Sequence, residues 1–204
     1  ITGDHSVKFI EKCGSDQPFC LSVSFNAPHA EDSDPEQYIW PERFDDLYTD
    51  VRIPKPQTAT DEFFRSQPEF LRTSLNRVRW KWRFDTDEKF QRMVKGHYRM
   101  ITAVDDAIGR MRKTLDDAGI ADNTVIMLIG DNGYFLGERG FAGKWLPYED
   151  SLRVPLIVYD PRNGTGGRGR KPQEMALNID VPATILDVAD IPVPDFYQGR
   201  TLIP

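Results

Sequence analysis

The sequence predicts an α/β fold, with a mixed sheet sandwiched between helices. Three observations carry this. Residues 87–118 show sustained helical periodicity. Two continuous apolar runs, 124–130 and 153–159, are rich in β-branched residues and read as strands. The elements alternate strand, long helix, strand, loop, strand, helix, the order expected when a sheet lies between helical layers. The chain has 204 residues, enough for one domain with a sizeable core. It is 39% hydrophobic and 28% charged, which excludes wholesale disorder. A net charge of −6 gives little electrostatic support for binding nucleic acid or an anionic membrane. No apolar run approaches the roughly 18 residues needed to span a bilayer.

Taken in order, Ser6 to Lys12 reads as the end of a helix, with Val7, Phe9 and Ile10 as its apolar face, punctuated by Gly14-Ser15-Asp16. Pro18 to Phe25 reads as a buried strand that stops at Asn26-Ala27-Pro28-His29, because proline has no N–H for a ladder. Residues 30–87 read as irregular, with Pro35, Pro41, Pro54, Pro56 and Pro68; a stretch this long is expected to be a functional loop or an insertion. The long helix follows, with Phe90, Val94, His97, Ile101, Val104, Ile108, Met111 and Leu115 at three- and four-residue steps and Gly119 as its stop. The run 124–130 reads as a strand covered on both faces and ends at Asp131-Asn132-Gly133. Arg153 to Tyr159 reads as a second short buried strand, Asn163 to Gly167 as a turn, and Ile179 to Ala189 as a helix with Val181, Ile185 and Val188 on one side.

Asp131-Asn132 is the leading chemical candidate. It directly follows a strand, where open α/β sheets place their sites. A carboxylate beside an amide oxygen offers two hard donors suited to Ca²⁺ or Mg²⁺. The competing reading is a hairpin, since Asn-Gly is among the strongest two-residue turns. Downstream, Gly137, Gly140 and Gly143 lead into Lys144, and a glycine-rich loop with a compact positive charge suits an anionic group. His29, at the end of the first predicted strand, could protonate a leaving oxygen or bind an anion near neutral pH. His97 reads as a packed core residue. The stretch Arg72…Arg77-Val78-Arg79-Trp80-Lys81-Trp82-Arg83 interleaves five cations with two indoles. It could stack on a sugar or nucleobase and attract sulfate or phosphate, or form a solvated helix face or docking surface. The two cysteines, Cys13 and Cys20, have no metal-binding spacing and read as free or structural thiols rather than a bridge.

Seven segments in order, Pro18-Phe19…Pro28-His29, Gly96-His97-Tyr98…Asp105…Ile108-Gly109, Gly130-Asp131-Asn132-Gly133, Leu136-Gly137-Glu138, Gly143-Lys144, Tyr148-Glu149…Arg153-Val154-Pro155-Leu156-Ile157 and Ile179-Asp180…Thr184-Ile185-Leu186-Asp187, resemble the type I sulfatases of the alkaline-phosphatase-like superfamily. The resemblance runs from about residue 1 to residue 204 and is weak over 31–87. It implies a sulfuric ester hydrolase acting on a sulfated small molecule or glycan, here as the C-terminal portion of a catalytic domain. Residues 30–87 would be a variable substrate-side insertion. It implies that Asp131 and Asn132 supply part of a Ca²⁺ site, with Mg²⁺ as second candidate. Lys144 would contact the sulfate and its bridging oxygen, and His29 the sulfate or the leaving group. The family's nucleophile is a hydrated formylglycine made from cysteine in Cys-x-Pro/Ala-x-Arg. It attacks sulfur, alcohol leaves, and the hemiacetal sulfate collapses. Neither Cys13 (before Gly-Ser-Asp-Gln) nor Cys20 (before Leu-Ser-Val-Ser) fits that motif. The expectation is therefore a chain whose nucleophile half is missing and which is inactive alone, partnered by that N-terminal half. Two alternatives remain: a phosphodiesterase or phosphotransferase of the same superfamily, and a catalytically dead sulfated-glycan-binding module. A periplasmic, secreted or lysosomal location follows from family analogy alone.

Overall fold

The structure, a computed structural model, describes residues 1–14, 17–162 and 169–203. Backbone contacts divide the chain into two compact units, Ile1–Ala121 with Asn132–Arg153, and Asp122–Asp131 with Val154–Pro204. The expected turn at Asn163 to Gly167 and the Ser15-Asp16 punctuation lie outside the described residues.

The spine of the first unit is the helix α5, Asp87–Asp117. Its start is written locally. Thr86 accepts from the Lys89 N–H at 3.2 Å, and Asp87 and Glu88 stand in the first turn where the helix dipole favours them. Its end is equally local. Gly119 takes φ +69°, the Gly119 N–H bonds the Asp116 carbonyl at 3.0 Å, and the Ile120 N–H bonds the Leu115 carbonyl at 3.1 Å. That is the Schellman pattern, which needs a left-handed residue at the glycine. The buried stripe contains Phe90, Met93, Val94, His97, Met100, Ala107 and Leu115. It is rotated from the predicted face, since Ile101 is 45% exposed and Met100 takes its place. The helix α1, Thr2–Cys13, packs on α5 through Gly3, Ser6 and Ile10. A Cβ at Gly3 would stand 2.8 Å from the Ala107 Cβ, so only glycine allows this approach. Arg110 closes the contact with Asp4 at 2.6 Å. Phe9, expected inward, is half-exposed and meets Phe19 edge-on instead.

Residues 30–87, expected to be irregular, are not so throughout. They form the short helices α2 (Asp61–Arg65), α3 (Glu69–Arg72) and α4 (Leu75–Arg83). Pro68 directly precedes α3 and Thr60 caps α2. Ala30, Tyr38 and Phe84 from this stretch join Phe90, Met93, Val94, Met100 and Ala142 in the main core cluster. The prolines thus punctuate packed elements, an outcome decided by contacts with the distant α5.

The strands β2 (Phe135–Leu136) and β3 (Ala142–Gly143) pair antiparallel, with Phe135 opposite Gly143. Phe135, Phe141 and Leu71 make a second cluster, flanked by Phe64, Leu146 and Tyr148. The short helix α6, Glu149–Leu152, follows. Pro18 to Phe25, expected as a buried strand, pairs with no strand among the described residues. Its side chains do alternate as a strand's would: Phe19, Leu21, Val23 and Phe25 are half-buried, and Cys20, Ser22 and Ser24 are exposed. The period-two pattern fixes which side faces inward, but a ladder requires a neighbour. Cys13 and Cys20 are both free thiols.

In the second unit, β1 (Ile126–Ile129) pairs antiparallel with β4 (Leu156–Tyr159), Ile126 opposite Tyr159. The expectation of strands buried on both faces does not hold. Residues of β1 are half-buried, and Ile157 and Val158 of β4 are 57% and 37% exposed. A ladder of two strands leaves main-chain edges and one face without the flanking layers that would cover them. The helix α7, Asp180–Val188, appears where expected, but its buried residues are Asp180, Ala183 and Thr184, and Ile185 is half-exposed. The Asp180 carboxylate accepts from the Arg200 N–H at 3.0 Å and the Leu177 N–H at 2.8 Å; those bonds hold its carboxyl below the usual range. No helix of the described residues is long and apolar enough to cross a membrane.

His97 is a core residue, as predicted. It is 8% exposed, edge-on to Tyr38 and stacked on Tyr134 at 6.2 Å. Burial pushes its imidazole down to about 4, opposed by a main-chain bond to Pro28. The folded chain therefore holds His97 neutral, while the unfolded chain protonates it near pH 6.5. Stability from this group is complete above pH 6.5 and declines as pH falls from 6.5 toward 4, by at most on the order of 3 kcal/mol. Urea unfolding across that window should show this slope, and His97→Gln should flatten it.

Candidate active site

Asp131 and Lys144 lie just after strands, and His29 follows the extended but unpaired segment 18–25. Asp131 follows β1 in the second unit, and its side chain is exposed. Its main chain is pinned: Asn178 Nδ2 donates to the carbonyls of Gly130 at 3.3 Å and Asp131 at 3.2 Å. Asn132 opens the returning segment of the first unit. Its Nδ2 donates to the Gly133 carbonyl at 2.7 Å, which turns the amide oxygen away from that bond. The hairpin reading of Asn132-Gly133 is overturned, because β1 and β2 do not pair with one another. Glycine is required at position 133 for another reason. Its N–H donates to the Ser151 carbonyl at 2.7 Å, and a Cβ there would run into the Asp150 carbonyl oxygen.

Lys144 follows directly on β3 and is half-buried. Among the described residues no carboxylate pairs with its ammonium. Its main-chain carbonyl is held by Asn76 Nδ2 at 2.7 Å. The glycines before it are required by packing. At Gly140, φ is +78° and a Cβ would lie 3.0 Å from the Phe64 ring. Glu138 is also structural: its carboxylate accepts from the Leu136 N–H, and burial raises its pKa.

His29 is exposed, at the end of the extended segment that crosses a cis Ala27-Pro28 bond. Its Nδ1 lies 2.7 Å from the Ala30 carbonyl. A carbonyl only accepts, so Nδ1 carries the proton and the neutral ring presents Nε2 as a lone pair. Protonated, Nε2 becomes a donor, as an acid for a leaving oxygen must be.

The structure anchors His29 and Lys144 to one core: Ala30, next to His29, and Ala142, two before Lys144, lie in the same cluster. Tyr134, two after Asn132, reaches it through its stack on His97. Asp131 belongs to the other unit. Sequence reasoning missed Gln37, Asp32 and Tyr134, the partners of the arginines behind this arrangement. Arg83, 1% exposed, donates from Nε to Gln37 at 2.8 Å, from Nη1 to the Tyr134 hydroxyl at 2.6 Å, and from Nη2 to Asp32. Asp32, three residues after His29, also takes the Arg79 guanidinium. The cation-rich stretch was the one signal for this: Arg79 and Arg83 are paired with Asp32 inside the fold, whereas Arg72, Lys81 and Trp82 of the same stretch are exposed.

The donor chemistry fits part of a calcium site. Asp131 and Asn132 offer two hard oxygens, fewer than the roughly six to eight Ca²⁺ takes. Among the described residues no group of three or more His, Cys, Asp or Glu completes such a set.

Solved structures share this architecture. One, determined in complex with its substrate D-Glucosamine-2-N, 6-O-disulfate, superposes with a TM-score of 0.77 at 24% identity over 98% of this chain and 50% of its own. The phosphonate monoester hydrolase of Agrobacterium radiobacter gives 0.70 at 25% identity over 100% of this chain and 41% of its own. The fold is thus the alkaline-phosphatase-like α/β fold. The model of the sulfatase family matches residues 1–191, and an arylsulfatase of Clostridium perfringens is 30% identical over 200 residues, covering 98% of this chain and 40% of that protein. The chain belongs to the sulfatase family. It spans half or less of the length of these relatives.

Proposed function

We propose that this chain supplies the metal-and-sulfate half of a sulfuric ester hydrolase acting on a sulfated glycan. Membership of the sulfatase family is the observation that carries the reading. The similar protein with a disulfated glucosamine as substrate supports the sugar class. In this reading the Asp131 carboxylate and the Asn132 amide oxygen hold one side of a Ca²⁺ ion, which when bound neutralises charge on the sulfate oxygens. Lys144 places its ammonium on the sulfate and bridging oxygen, where negative charge grows as the S–O bond breaks. His29, with Nδ1 tied to the Ala30 carbonyl, gives the Nε2 proton to the departing alkoxide. Cys13 and Cys20 are outside the formylglycine motif, so neither carries the nucleophile in this reading. Export to a periplasmic, extracellular or lysosomal compartment goes with the family reading.

The second reading, a phosphoryl-ester hydrolase, is favoured by the phosphonate monoester hydrolase likeness. Asn132 favours the first, since an amide oxygen suits Ca²⁺ where an imidazole would suit a transition metal. The test is turnover by the full-length protein of glucosamine 6-O-sulfate against a phosphodiester, in Ca²⁺ and in Zn²⁺. Sulfate ester preference with Ca²⁺ is expected, and Lys144→Ala should lower kcat/KM for it by about 100-fold. Phosphodiester preference with Zn²⁺ would overturn the assignment.

A further inference from the structure

Helix α4, Leu75–Arg83, lies away from the candidate chemistry in sequence, yet its polar side chains reach every site-bearing segment of the first unit. Asn76, 3% exposed, donates to the Lys144 carbonyl at 2.7 Å. Arg77 donates to the Gly140 carbonyl at 3.0 Å and lies over the Phe64 and Trp80 rings. Arg79 pairs with Asp32 and stacks over Trp145, next to Lys144, at 4.3 Å from the ring centre. Arg83 binds Asp32 and Gln37 on the His29 segment and Tyr134 on the Asn132 segment. Both carbonyls and the phenol would otherwise be satisfied by whatever their loops happened to meet.

We infer that α4 is the positioning element of the site, with Asn76 setting Lys144 and Arg83 setting the His29 and Asn132 segments against one another. The physical reason is that three segments outside regular elements, with no ladder between them, need a common rigid reference. A helix offers fixed donor spacing, and a buried guanidinium has five N–H groups in a planar fork that can hold three acceptors at once. Trp145 is held at φ +76° although it is bulky and 56% exposed. A strained conformation of that kind persists only where its surroundings impose it, and Arg79 over the indole and Asn76 on the preceding carbonyl are those surroundings.

This inference rests on the proposed function for its catalytic meaning but not for its structural test. Two variants of the full-length protein separate the tethers. Tyr134→Phe deletes one hydroxyl and keeps the ring that stacks on His97. Asn76→Ala deletes one amide. Amide hydrogen exchange read by mass spectrometry should quicken at 132–135 in Tyr134→Phe and at 142–146 in Asn76→Ala, with the remainder of the unit unchanged. In turnover, Tyr134→Phe should raise the Ca²⁺ concentration for half-maximal rate by about 10-fold while kcat at saturating Ca²⁺ is retained, as for partners that orient metal ligands. Asn76→Ala should lower kcat by about 10-fold with the Ca²⁺ requirement unchanged. A protein that takes up no Ca²⁺ yet shows the two local exchange patterns would sink the proposed function and leave α4 as the common anchor. Exchange unaltered in both variants, or quickened uniformly across the unit in step with a fall in Tm, would overturn the positioning role.

Discussion

Asp131→Ala in the full-length protein should reduce kcat/KM for a sulfate ester by roughly a thousandfold or more while leaving the melting temperature nearly unchanged. The charged ligand of a catalytic cation is worth several kcal/mol in the transition state, and each 1.36 kcal/mol is tenfold in rate. The backbone there keeps its anchor, because Asn178 holds the carbonyls of Gly130 and Asp131 and alanine retains both. Asp131→Asn is the finer probe, retaining an oxygen donor and removing the charge, and should recover part of the Ca²⁺ response. Steady-state kinetics over a Ca²⁺ series together with calorimetry reads both quantities. Near wild-type turnover in Asp131→Ala would remove the metal assignment.

The opposite profile is expected for Phe135→Ala. Phe135 is fully buried, edge-to-face with both Phe141 and Tyr148 at 5.9 Å, and sits in the two-residue ladder opposite Gly143. Removing the ring leaves a cavity among side chains that cannot collapse far, since Phe141 is itself fully buried. A loss of about 3–5 kcal/mol is expected, lowering the denaturant midpoint with little change in m. Because β3 leads directly into Lys144, activity should fall in parallel with the folded fraction and be regained by cooling or added glycerol. Loss of activity at full stability would show instead that the phenyl ring acts on the site itself.

These two residues show what could be read early and what could not. Asp131 stands out in the sequence because a β-branched run hands the chain to a carboxylate and an amide, a purely local signal. Phe135 is one of twelve phenylalanines, and nothing local marks it as the centre of a cluster. The boundaries of α5 were legible because their causes are short-range: a threonine cap, two acids in the first turn, and a glycine able to take φ +69° at the end. Its buried stripe was placed less well. Met93 and Met100 face in and Ile101 faces out, because the partner surfaces from 30–84 choose the side.

By itself the sequence determined the positions of α5, α7, β1 and β4, the family, and the residues His29, Asp131, Asn132 and Lys144 as candidates, since caps, periodicity and ordered motifs are properties of neighbours along the chain. Tertiary structure alone decided that 30–87 builds core, that Pro18 to Phe25 pairs with no described strand, that Asn132-Gly133 is not a hairpin, and that Arg79 and Arg83 of α4 turn inward. Each of those outcomes depends on which distant group meets a main-chain edge or a guanidinium. No local rule specifies that partner, because a buried arginine and a solvated one carry the same residues on either side.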